Sequence, residues 1–200
     1  MPILERQFDD RLSRWPGIGL FGCFIWLAAL LLQTVLSFGQ QTVSREYQLK
    51  AVFLFHFAQF TQWPTNAFTS TNSPIVIGIL GNDPFGDALK NTVRGELVNG
   101  RRIELEHFRR AEDATNCHIL YLAATESRRP ERILEVLENR PILTVSDVDT
   151  PAGRGVMIRF VQEQNKLRIR INLDAVSAAN LTISSKLLRA SEIVSSGRAR

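Results

Sequence analysis

Between Pro74 and Gly81 the chain reads Ile-Val-Ile-Gly-Ile-Leu, with no polar side chain and no alternation. A run of strand length that is apolar on both faces has to be covered on both faces, which is the situation of a central strand in a parallel sheet. This stretch constrains the fold more than any other, because it requires a layer of helices or loops above it and another below. The next residues, Asn82-Asp83-Pro84-Phe85-Gly86, carry helix-start chemistry, with Asp83 as the expected N-cap and Pro84 at the first helical position.

The remaining segments supply the layers. Residues 46–62 are apolar on nearly every face, broken by Gln48, Lys50, His56 and Gln59. That pattern describes a helix either deeply buried or shared with a partner, ended by Trp63-Pro64. Residues 102–108 alternate and predict a half-exposed strand. Residues 117–123 and 142–146 read as buried strands, and 129–139 as an amphipathic helix with Ile133, Leu134 and Leu137 facing inward. Residues 156–161 and 167–171 alternate around a turn at 162–166, which predicts an antiparallel hairpin. Val156, Ile158 and Phe160 share one face of its first strand; Arg159, Arg168 and Arg170 fall on the polar side. Helical segments follow at 174–180 and from 184 to about 194, with a frayed tail at 195–200. The expected class is α/β: a mainly parallel mixed sheet flanked by helices, with a C-terminal antiparallel hairpin.

An N-terminal export helix precedes this. Arg11 and Arg14 stand before an apolar run at 18–32, followed by small residues ending in Ser37-Phe38-Gly39. Positive residues, an apolar core and a small-residue site are the order of a secretory signal. Residues 1–39 are therefore a signal peptide cut after Gly39, or an uncleaved signal anchor; the arginines hold the N-terminus inside in either case. A lipoprotein site at Cys23 is disfavoured by the bulky Phe21. Residues 45–194 make one domain, and membrane contact runs only through residues 1–39 if they stay uncut.

The charge balance is +4, and the export segment is neutral (Arg6, Arg11, Arg14 against Glu5, Asp9, Asp10), so the rest carries all of it. The basic residues are scattered and lack interleaved aromatics, which argues against a nucleic-acid interface. His56, His107 and His118 lack metal-ligand spacing, so no metal and no other cofactor is expected. No nucleophile motif is present, and an enzyme is not expected. Removal of Cys23 with the signal leaves Cys117 free, with no internal disulfide; it is a small core residue or, alternatively, half of an intermolecular bridge. One feature offers a ligand site: Asn82, Asp83, Phe85 and Gly86 lie just past a buried strand, where open α/β sheets hold ligands. A tight turn accounts for the same residues.

The ordered set of segments resembles the YfiR family. The carriers are Tyr47-Gln-Leu-Lys-Ala-Val-Phe-Leu-Phe-His-Phe-Ala-Gln-Phe-Thr-Gln-Trp-Pro64, Gly78-Ile-Leu-Gly-Asn-Asp-Pro-Phe-Gly86, Cys117-His-Ile-Leu-Tyr121, Ile142-Leu-Thr-Val-Ser-Asp147, Gly155-Val-Met-Ile-Arg-Phe160, Lys166-Leu-Arg-Ile-Arg-Ile-Asn172 and Leu181-Thr-Ile-Ser-Ser-Lys-Leu-Leu188. The resemblance implies a dimeric periplasmic regulator that represses an inner-membrane diguanylate cyclase by binding its periplasmic part, lowering cyclic di-GMP and biofilm formation. It implies partner contacts around Arg159, Phe160, Asn172 and Ala178, with Phe160 either an exposed anchor or a core residue. Redox control through an internal disulfide does not carry over, since Cys117 has no partner cysteine. The alternative function is a periplasmic small-molecule sensor or binding protein using the 82–86 crevice.

Overall fold

The computed structural model describes residues 44–126, 130–148 and 155–194. The export segment and the tail at 195–200 lie outside them. Helix α1 (Arg45–Phe60) leads, followed by a short strand β1 (Thr61–Gln62). Then come β2 (Ile75–Leu80), α2 (Asp87–Val93), β3 (Leu97–Val98), β4 (Arg101–Phe108), β5 (Ile119–Leu122), α3 (Pro130–Leu137) and β6 (Leu143–Ser146). The hairpin β7 (Ile158–Glu163) and β8 (Lys166–Asn172), α4 (Leu173–Ala178), β9 (Thr182–Ile183), α5 (Ser185–Arg189) and β10 (Glu192–Val194) complete the order.

The main sheet runs β10-β8-β7-β6-β5-β2-β4-β3. Strands β4, β2, β5, β6 and β7 are mutually parallel, while β8 is antiparallel to β7 and β3 to β4. Every residue of β2 is buried. Ile75, Ile77 and Ile79 join Leu54, Phe57, Leu89 and Leu187 in one apolar layer, whereas Val76 and Leu80 join Leu120, Ile133 and Leu137 in the other. Gly78 is small because Phe108 crosses there: a Cβ at Gly78 would stand 2.6 Å from the ring's Cε2.

The hairpin faces agree with the alternation from Ile158 onward, but Val156 lies before β7 and packs in the opposite layer with Val76 and Leu80, not on the face of Ile158 and Phe160. Ile158, Phe160, Ile169 and Ile171 are buried, and the turn is Gln164-Asn165, both at positive φ (48° and 60°), as a two-residue hairpin turn demands. Three differences from the sequence reading have a tertiary cause. Helix α1 stops at Phe60, because Thr61 and Gln62 pair with Ile183 and Thr182. Helix α2 starts at Asp87 with Gly86 as N-cap, not at Asp83. Phe85 is completely buried, edge-on to Tyr47 and Tyr121, and drawing that ring into the core takes 84–86 out of helical geometry. Finally, 192–194 is a strand and not helix. It covers the outer edge of β8, with Arg170 Nε donating to Glu192 Oε2 at 2.9 Å, so tertiary pairing overrides local propensity. No helix among the described residues is long and apolar enough to cross a membrane.

Candidate functional site

From β2 the chain passes to β4 on one side of the sheet and then returns to β5 on the other. This reversal opens the topological switch point at the carboxyl ends of β2 and β5. The end of β2 is tied down by two bonds: Gly81 N donates to Phe108 O at 3.1 Å, and Asn82 N donates to Thr125 Oγ1 at 3.2 Å. Asp83 then serves two partners. Its Oδ1 accepts from Phe85 N at 2.7 Å, forming a side-chain turn, and its Oδ2 meets His107 Nε2 at 2.9 Å. Of the four expected crevice residues, Asn82, Asp83 and Gly86 stay accessible, whereas Phe85 is sealed in the core and unavailable to a ligand.

Behind Phe85 lies a polar cluster that the sequence reading did not pick out. Lys50 and Asp147, with side chains 3% and 8% exposed, pair at 2.5 Å (Nζ to Oδ2). Tyr47 Oη donates to the same Oδ2 at 2.9 Å, and Lys50 Nζ also reaches Glu46 Oε1 at 2.6 Å. The Lys50 ammonium sits 4.3 Å from the Tyr47 ring centroid and 5.9 Å from that of Phe160. Tyr121 Oη and Asp147 Oδ1 are buried without a hydrogen-bond partner among the described residues. The available signals were weak: Lys50 is the one charge inside the apolar stretch of α1, and Asp147 directly follows a buried strand.

The electrostatics make this cluster a structural clamp. Burial alone would raise the Asp147 carboxyl, but the hydrogen bond and charge of Lys50 prevail and hold it below the usual carboxylate range. Burial disfavours the Lys50 cation, yet the bonds to Asp147 and Glu46 outweigh that and raise its pKa, so the amine is not a nucleophile. Burial, reinforced by Asp147, pushes both Tyr47 and Tyr121 upward and keeps the phenols neutral. The clamp carries charge without offering acid–base chemistry near neutrality.

His118 sits at the opposite end of the sheet. Its Nδ1 accepts from Val76 N at 3.1 Å, which assigns the neutral proton to Nε2, and Phe68 stacks on the ring at 4.5 Å. Burial lowers its pKa. Cys117 is buried, its Sγ donates to Ala114 O at 3.1 Å, and burial pushes its thiol up to about 12. That burial removes the intermolecular-bridge reading of Cys117. Among the described residues no group of three His, Cys, Asp or Glu side chains is placed to hold a metal ion.

The four expected partner residues do not form one surface patch. Phe160 faces the core, 3% exposed and stacked on Phe57 at 5.6 Å, so the exposed-anchor alternative fails. The cause is register: Phe160 shares the inward face with Ile158, opposite Ile169. Asn172 is buried and caps α4, its Oδ1 accepting from Ala175 N at 3.1 Å. Arg159 is half-buried on the polar face of β7. Ala178 is exposed and lines a shallow groove of about 410 Å³ between α3 and α4. Leu134, Leu137 and Met157 contribute its apolar wall, and Glu131, Glu135 and Glu138 its acidic rim.

A sequence model described as YfiR/HmsC-like matches residues 47–192. The match runs from the start of α1 to the first residue of β10 and takes in both the clamp and the hairpin. The chain belongs to the YfiR/HmsC-like family.

Proposed function

We propose that this protein is a periplasmic regulator of cyclic di-GMP signalling that binds the periplasmic part of an inner-membrane diguanylate cyclase and represses it. The observation that carries this reading is the family match over 47–192, which points to cyclic di-GMP regulation in general. Repression of a cyclase is the finer step. Binding outside the membrane would favour the inactive state of the cyclase by its differential affinity for the two states. The protein acts as a homodimer, and export through residues 1–39 delivers it to the periplasm, free after cleavage at Gly39 or held by the uncut segment. Retention would raise its effective concentration beside a membrane target.

Of the residues expected at the partner surface, Ala178 is the accessible one with an apolar groove beside it. Asn172 supports that surface from beneath by capping α4, the helix that carries Ala178. The reading predicts that deleting the gene raises cyclic di-GMP in cells that carry the cyclase, and that restoring it lowers the level again. Unchanged cyclic di-GMP in the deletion strain would refute it. A pull-down from solubilised membranes with residues 40–200 as bait should recover the cyclase, and Ala178→Arg should recover less while folding normally.

A further inference from the structure

A second groove, of about 560 Å³, runs between α2 and β4, away from the α3–α4 groove. Its floor is the row Ile103, Leu105 and His107, which alternation places on the α2-facing side of β4, with Val93 against it. Ile103 and Leu105 remain only half-covered by the short α2. The walls are charged and polarised along the axis. Asp83 and Asp87 stand at the end where His107 lies, and Lys90 and Arg94 follow along α2 toward the end where Ile103 lies. Among the described residues, no ion pair engages Asp87, Lys90 or Arg94.

Spacing restricts the ligand. Asp87 opens α2 and Arg94 is the residue that caps its far end, seven positions on and about 10 Å along the helix axis. A single amino acid carries its two charges too close together to reach both ends. A dicarboxylate would meet Asp83 and Asp87, and a diamine would meet Lys90 and Arg94. The occupant that suits both ends has a cation and an anion about 10 Å apart with an apolar body between them. An extended chain of three residues spans about that length.

The strand edge identifies that occupant as a peptide. Strand β3 pairs with β4 only through Leu97↔Arg102 and Val98↔Arg101. Beyond Arg102, β4 pairs with β2 on its inner side, and no strand among the described residues covers its outer side. Main-chain donors and acceptors therefore line the groove beside the apolar floor, the arrangement by which a peptide adds to a sheet edge.

We propose that this groove binds short apolar peptides with free termini, the ammonium at Asp83 and Asp87 and the carboxylate at Lys90 and Arg94. The peptide main chain lies along the free edge of β4, and its side chains rest on Ile103, Leu105 and Val93. The site is independent of the repressor reading: failure of peptide binding leaves that reading untouched, since the deletion strain tests it separately.

The experiment is titration calorimetry of the purified chain with Leu-Leu-Leu, its N-acetylated form, its C-amidated form, the doubly capped form and free leucine. Saturable binding of the free tripeptide is expected, weakened about tenfold or more by capping either end, with free leucine weaker still. The double variant K90E/R94E should lose tripeptide binding while keeping the parent's circular dichroism and melting temperature, because both side chains are exposed. Arg168→Glu, in the hairpin, should bind like the parent. The proposal is overturned if the parent shows no saturable binding, if K90E/R94E binds as well as the parent, or if the doubly capped peptide binds as well as the free one.

Discussion

Lys50 and Asp147, 97 positions apart in the chain, form an ion pair at 2.5 Å beneath Tyr47, pinning helix α1 to the carboxyl end of strand β6. A buried pair is costly to break from one side, because the remaining charge is left desolvated and unpaired.

Lys50→Met should therefore destabilise the fold by about 3 kcal/mol in urea unfolding. The double variant K50M/D147L should recover most of that loss, since it removes both charges and supplies apolar volume. A double variant as unstable as K50M alone would mean that the pair is not what holds α1.

The same pair sets a pH window. The Asp147 carboxyl is held below its unfolded value, so its contribution is complete above about pH 4 and is lost as the pH falls through the folded pKa. The Lys50 pKa is raised, so its contribution is complete below about pH 10.5 and is lost as the pH rises above that. Unfolding free energy measured against pH should show both edges in the parent and a smaller drop at each edge in K50M/D147L, where the buried Tyr121 and Cys117 still contribute at alkaline pH.

His118 adds a step at milder acidity. Burial depresses its pKa from 6.5, so the unfolded chain takes up a proton that the folded chain refuses. Stability should fall as pH is lowered below about 6.5. His118→Asn keeps an acceptor near Val76 N and should flatten the melting-temperature profile between pH 7 and 5.

Cys117 should resist alkylation in the folded protein, because its thiol is buried, bonded to Ala114 O and pushed up to about 12. In a Cys23→Ser background, mass spectrometry after iodoacetamide should show no adduct until urea is added, and non-reducing gels should show no disulfide-linked dimer.

Gly78→Ala tests packing between sheet and surface. The new methyl would meet Phe108 Cε2 at 2.6 Å and Leu120 Cδ1 at 3.0 Å. A loss of about 1–3 kcal/mol is expected. Adding Phe108→Leu should return part of it, which a purely conformational glycine effect would not allow.

Much of the fold was legible because its signals are local and periodic. The unbroken apolar run at 75–80 announced a strand covered on both faces, and the alternation around Phe160 announced the hairpin. Legibility failed where a distant partner decided the outcome. Asp83 is chemically an N-cap, but its carboxylate is used by Phe85 N and His107, and the burial of Phe85 moves the helix start to Asp87. Residues 192–194 carry no strong strand pattern and become a strand because β8 has an edge to cover.

The sequence by itself determined the layer class and the inward faces of β2 and β8, since these depend on spacing along the chain, and its ordered segments carried the family resemblance. Only the tertiary structure decided that Phe160 belongs to the core and not to a surface, that Lys50 meets Asp147, and that β4 keeps an open edge beside charges of both signs. Those outcomes depend on the order in which strands assemble into a sheet, and strand order is set by the burial of whole faces against one another, which no local window of residues contains.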